Sequence, residues 1–309
     1  QIALCGARQE VLGRLAEMQR KQREQAERCT TLKAGPFMVF DKIVRHYGLD
    51  KMAEKNFGKN AGLLLDLASY MVIEERDQGQ YYPDYAYRRP IFTEGMRISS
   101  DSAISRFLSG VTDEQICGFL NDWNAARDHD SRIYISYDST NKNCQAGEID
   151  FVEFGKAKSD DGLPIVNIGL AYDKTNQVPL FYELYPGSIN DVSQFRFFVD
   201  KALAYNYRNV GFILDRGYFS KANIAYLDEH KFAFVLMIKG CKPLVADIID
   251  EVRDSFEDSF RHSLRQRGLS GVTLERKLFD QDAGNRYFHL FFNPAKKARE
   301  RMRIQEEIA

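Results

Sequence analysis

The 309-residue sequence has no excess of either charge: 43 lysines and arginines stand against 44 aspartates and glutamates, a formal net charge of −1. No global field draws this chain to a polyanion, so any contact with nucleic acid has to come from local basic clusters. Cysteine is sparse. Cys5, Cys29, Cys117, Cys144 and Cys241 show no C-x-x-C spacing, which argues against a zinc site or a disulfide framework and favours a reducing compartment. The histidines (His46, His129, His230, His262 and His289) and the single Trp123 also lack ligand spacing and read as structural. No apolar run approaches the roughly 20 residues that span a bilayer, and no signal peptide is visible. A cytoplasmic protein without a membrane partner is expected. Internal repeats and low-complexity tracts are absent. The chain opens on Gln1 rather than Met, so a fragment edge is expected there.

What is present is a globular composition, 44% hydrophobic and 28% charged, with enough length for one main domain and appended parts. Leu4, Val11, Leu12, Leu15 and Met18 recur at helical spacing within residues 1–30, and Gly35-Pro36 breaks that helix. Helical patterns continue through Phe40–His46, Ala61–Glu75 and Asp113–Ala126, with N-caps at Ser99-Ser100-Asp101 and Thr112-Asp113. A polar, tyrosine-rich connector is expected over Gln78–Arg89. The pattern changes at Asp128. Strands are expected at 133–138, 164–172, 178–185, 209–215 and 232–239, with helices at 191–205 and 220–230. After Lys242 a helix at 243–257 leads to a hairpin, Gly271–Phe279 with Arg286–Phe292, and then to a charged helix from Pro294. The expected division is a helical region 1–127, a core 128–242 and a further part 243–309.

Two aspartates stand out because each closes an apolar strand-like run: Ile133-Tyr134-Ile135-Ser136-Tyr137-Asp138 and Val210-Gly211-Phe212-Ile213-Leu214-Asp215. A carboxylate at a strand end keeps its hydration yet sits on a rigid element, which suits a hard divalent cation. The parity agrees: Tyr134, Ser136 and Asp138 share one strand face, and Gly211, Ile213 and Asp215 share another. The plainer reading is that both merely end strands and cap turns, as aspartate often does.

Three ordered blocks resemble those of a DDE transposase: Tyr137-Asp138-Ser139-Thr140, Pro186-Gly187-Ser188-Ile189-Asn190-Asp191, and Asp215-Arg216-Gly217-Tyr218-Phe219-Ser220. Gly155-Lys156-Ala157-Lys158 also resembles the linker after the first aspartate in the bacterial insertion-sequence transposases whose glutamate lies in a Tyr-Arg-Glu-Lys signature. The resemblance covers about residues 130–240. It implies an α/β fold: a ribonuclease H-like mixed sheet with flanking helices, first and fourth strands adjacent, after a helical N-terminal domain and before the start of a β-rich insertion. It further implies Asp138 and Asp215 as catalytic metal ligands for Mg2+ or Mn2+, and metal-dependent cleavage and transfer of DNA strands. The partners would be transposon ends and target DNA; a homodimer is compatible with this.

The third acid is missing from the expected pattern. Arg303 with Glu307 and Arg253 with Glu257 have the Arg–Glu spacing, but Glu300 and Asp250 occupy the tyrosine places. We expect a chain that ends inside the insertion, before the glutamate, with Glu251 as the alternative third ligand. Lys156, Lys158 and Arg216 are candidates for DNA phosphate contacts near the metals, as are Arg261, Arg265 and Arg267 of a basic cluster that includes Arg276 and Lys277. Asp191, with Asn190, reads as a cap for the 191–205 helix, and Tyr218 as core rather than a base-stacking platform. The competing functions are an inactive DNA-binding or dimerising remnant and a generic nuclease of the same fold.

Overall fold

The computed structural model describes residues 12–14, 16–18, 20, 31–145, 149, 151–158, 162–257 and 259–308. The chain divides into two compact units, Gln1–Leu236 and Met237–Ala309. Of the N-terminal helix expected from the sequence, Leu12 and Met18 are helical and exposed; Leu4, Val11 and Leu15 lie outside the described residues.

From Gly35 the first unit carries the helices α1 (Gly35–Tyr47), α2 (Leu49–Phe57), α3 (Ala61–Glu74), α4 (Tyr82–Tyr87), α5 (Asp101–Ser109) and α6 (Asp113–Ala125). Pro36 opens α1, because the first turn has no intrahelical use for the N–H that proline lacks. Ser100 caps α5, and Thr112 with Gln115 closes a reciprocal capping box on α6. The expected polar connector at 78–89 is instead a short helix with Tyr82, Tyr85 and Ala86 in the core. A tyrosine ring packs like phenylalanine once its hydroxyl is satisfied. Tyr85 meets the Ser69 hydroxyl at 2.7 Å and Tyr70 donates to the Gln78 carbonyl at 2.9 Å.

The sheet follows, as β1 (Ile133–Asn143), β2 (Ile165–Asp173), β3 (Val178–Pro186), α7 (Asp191–Ala204), β4 (Val210–Leu214), α8 (Lys221–Glu229) and β5 (Ala233–Leu236). The spatial order is β3-β2-β1-β4-β5, with β1 antiparallel to β2 and parallel to β4. The first and fourth strands are therefore direct neighbours. One expectation fails: β1 does not close at Asp138 but runs on to Asn143, because β2 keeps pairing with it as far as Ile165.

Alternation along β1 sends Ile133, Ile135 and Tyr137 to one face, where they join Phe212 and Leu214 under Phe195, Phe198 and Val199 of α7 and Leu227 of α8. Burial of each such side chain stabilises the unit by about 1.5–3 kcal/mol before entropy is counted. The opposite face keeps Tyr134, Leu170, Leu184 and Val235 exposed.

The second unit contains α9 (Lys242–Val252), the antiparallel strands β6 (Ser263–Leu264), β7 (Leu269–Arg276) and β8 (Arg286–Phe292), and α10 (Pro294–Ile308). Its buried residues include Ile248, Val252, Phe256 and Phe288. Among the described residues, no helix is long and apolar enough to cross a membrane.

Candidate active site

The β1–β4 ladder ends at the pair Tyr137–Leu214. The next residue on each strand is an aspartate. Asp138 is inside β1 and Asp215 follows β4 in extended conformation (φ −75°, ψ 165°). Tyr137 and Leu214 point into the core, so the two aspartates turn to the opposite face, where both are exposed. Neighbouring strands lie about 4.8 Å apart, which sets the two residues on adjacent strand ends. Each is oriented by the backbone that follows it. The Ser139 N–H donates to Asp138 Oδ1 at 2.9 Å, and the Arg216 N–H donates to Asp215 Oδ1 at 2.6 Å. The second oxygen of each carboxylate accepts from no described residue.

Beyond Tyr137 the parallel neighbour is gone, and the freed edge of β1 is taken by a strap. Lys158 donates its ammonium to the Ser139 carbonyl at 2.6 Å, and the Asn141 side chain grips the Lys158 N–H and the Lys156 carbonyl, both at 3.0 Å. Glycine makes the strap fit: a Cβ on Gly155 would lie 1.9 Å from the Gly187 carbonyl oxygen. The Asn167 amide holds the Gly187 turn through the Pro186 and Ile189 carbonyls at 2.9 and 3.0 Å, and Ser188 donates to the Glu153 carboxylate. Lys158 is thus committed to the backbone, while Lys156 and Arg216 are exposed and make no ion pair with a described residue.

The cap of α7 is Asn190, whose side chain accepts from the Ser193 N–H. Asp191 is the first helical residue, and its Oδ1 accepts from the Tyr185 hydroxyl at 2.7 Å. The expected capping role therefore belongs to Asn190. Tyr218 is 2% exposed and belongs to the core, which leaves no ring face for a base.

In the second unit, Arg261, Arg265 and Arg267 lie exposed on two short turns flanking β6. Arg265 stacks over Phe260 at 4.2 Å. Arg276 is engaged with Glu251 of α9, so the proposed alternative ligand already has a cationic partner. Arg303 pairs with Glu307 at 3.5 Å, and Glu257 with Lys297 at 3.4 Å.

The donor set suits a hard divalent cation: two exposed carboxylates with two unclaimed oxygens, the ligands Mg2+ and Mn2+ accept alongside water and phosphate. Among the described residues, no group of three or more metal-ligating side chains converges.

Residues 131–284 match the family model described as transposase DDE domain. The chain carries a transposase DDE domain. Among solved structures, the Mos1 transposase paired-end complex with left transposon end is 13% identical over 63% of this chain and 67% of that one, with a TM-score of 0.24. The piggyBac transposase synaptic complex with hairpin DNA is 13% identical over 63% of this chain and 40% of that one, with a TM-score of 0.34. The Mos1 mariner paired-end complex with Mn is 15% identical over 62% and 66%, with a TM-score of 0.24. This chain thus spans about two thirds of the Mos1 chains and two fifths of the piggyBac chain. No curated protein matches the sequence.

Within the DDE domain, the sequence reading missed Ser139, Asn141 and Tyr185. Ser139 adjoins the first aspartate, yet nothing in the sequence shows that its backbone serves both Asp138 and Lys158. Asn141 and Tyr185 act across 15 or more residues of chain in one case and across a helix start in the other. Only their closeness to the quoted blocks was a signal.

Proposed function

We propose that this chain is a transposase of the bacterial insertion-sequence group with the Tyr-Arg-Glu-Lys signature, built on a ribonuclease H-like core. It would act on transposon ends and target DNA in the cytoplasm by metal-dependent strand cleavage and transfer. The observation that carries this is that Asp138 and Asp215 each follow Tyr137–Leu214, the last register pair of two adjacent parallel strands, within the segment that matches the DDE family.

Asp138 and Asp215 would hold Mg2+ or Mn2+ through their unclaimed oxygens. When bound, the metal supplies Lewis acidity at the scissile phosphate and activates a water or a 3′-hydroxyl. The protein's own part is orientation. The Ser139 and Arg216 N–H groups fix one oxygen of each carboxylate and leave the other free. Lys156 and Arg216 offer exposed cations to the DNA backbone, which positions a duplex without reading its sequence.

A second reading is a DNA-binding or dimerising protein without cleavage activity. It is favoured by the pairing of Glu251 with Arg276 and by the absence of a third converging ligand among the described residues. One experiment separates the two. Mn2+ affinity by electron paramagnetic resonance, and nicking of supercoiled plasmid with Mg2+ or Mn2+, are measured for the wild type, Asp138→Asn and Asp215→Asn. Asparagine still accepts the backbone N–H, so the fold is kept. Each variant should lose Mn2+ affinity by at least about tenfold, the effect of removing one charged ligand. Undiminished Mn2+ affinity in both variants sinks the metal-site reading. Metal binding without nicking selects the inactive reading.

A further inference from the structure

Beneath Asp138 the core is polar. Ser139 turns its side chain to the covered face, where it is 8% exposed, and two tyrosine hydroxyls approach it there. Tyr185 donates to Asp191 Oδ1 at 2.7 Å and lies beside the Ser139 hydroxyl. Tyr218 approaches the same serine, and its buried hydroxyl has no hydrogen-bond partner. Above them, the Ser139 N–H holds Asp138 and its carbonyl accepts Lys158. The backbone of Ser139 is thus engaged by Asp138 and Lys158, and its side chain lies against the two tyrosine hydroxyls.

We propose that Tyr185, Tyr218 and Asp191 are positioning residues that fix the Asp138 carboxylate through Ser139, a role that rests on the metal-site reading of Asp138. Packing alone does not account for the hydroxyls. A buried hydroxyl without a partner destabilises a fold, and phenylalanine would fill the same volume without that cost. Tyr218 is also placed among the acids: after burial itself, the charges of Asp191, Asp138 and Asp215 hold its hydroxyl above the ordinary tyrosine range.

The test uses the full chain with 15N-labelled serine, comparing Tyr185→Phe and Tyr218→Phe with Tyr226→Phe. The last removes a tyrosine–aspartate bond of the same kind, to Asp200, on the α7–α8 surface. The Ser139 amide resonance reports its bond to Asp138 without any metal. It should move in the first two variants and stay in the third. Mn2+ affinity should fall about three- to tenfold in the first two, the range one hydrogen bond is worth, while Tyr218→Phe melts no lower than the wild type. A purely structural role predicts a changed melting temperature with an unmoved Ser139 amide. An unmoved Ser139 amide in both variants overturns the proposal whether or not metal binds. A moved amide with metal binding that survives Asp138→Asn instead overturns the functional reading of Asp138 and leaves the positioning network standing.

Discussion

Substituting Gly187 by alanine should unfasten the strap beside the aspartates. A Cβ there would lie 2.3 Å from the Glu153 carbonyl oxygen and 2.5 Å from that of Ile165. Both oxygens are locked in a reciprocal bridge, Ile165 N–H to Glu153 at 2.8 Å and Glu153 N–H to Ile165 at 3.1 Å. Neither can swing aside as a side chain would. Forcing a carbon into a filled space costs about 1–3 kcal/mol. Pulling the turn away from the buried Asn167 amide forfeits two bonds, at about 1 kcal/mol each. The sum is about 3–5 kcal/mol, and at about 2–4 °C per kcal/mol for a unit of this size the melting temperature should fall by about 10 °C. Gly217→Ala is the control: a Cβ there meets nothing within 4 Å, and alanine is the better helix former. Scanning calorimetry reads both. Amide exchange at Lys158, whose N–H bonds Asn141, should accelerate in Gly187→Ala alone. Equal melting temperatures for the two variants would refute the clasp.

Two further outcomes follow from the same geometry. Asn190→Ala should lower stability by about 1 kcal/mol in urea unfolding through loss of the α7 cap, whereas Asp191→Asn, which keeps an acceptor for Tyr185, should change it by less than half of that. Lys156→Ala should weaken duplex binding and reduce the slope of log affinity against log salt by about 0.9, as measured by fluorescence anisotropy. Lys158→Ala should change the slope less, because its ammonium is held by the Ser139 carbonyl.

The aspartate pair was legible because its signal is local: an apolar run, an acid at its end, and a parity that survives any pairing of the two strands. The five strands and two crossover helices were legible for the same reason, each to within a few residues at its ends except at the far end of β1. What escaped depends on partners distant in sequence. The extension of β1 past Asp138 runs through Asn141, Lys142 and Asn143, poor strand formers taken into the sheet because β2 pairs with them. The clasp needs Gly155 and Gly187 to meet across 32 residues, and no periodicity announces that. At Gln78–Arg89 the hydroxyls disguised a buried aromatic cluster as a polar connector. Asp191 misled by position, since an acid beside a helix start looks like a cap until the neighbouring asparagine is seen to hold that place.

The abrupt end of β4 at Leu214, while β1 continues, makes the backbone itself the gauge of the carboxylate spacing. Side-chain substitutions around the pair can loosen or tilt an aspartate, but the rung just before them, Tyr137–Leu214, fixes which residues stand opposite each other and shifts only in whole residues. A slip of β4 by a single residue would carry Asp215 through the sheet to the covered side. The placement of the two acids on one face is therefore all or nothing: the ladder offers this register or the loss of the pair.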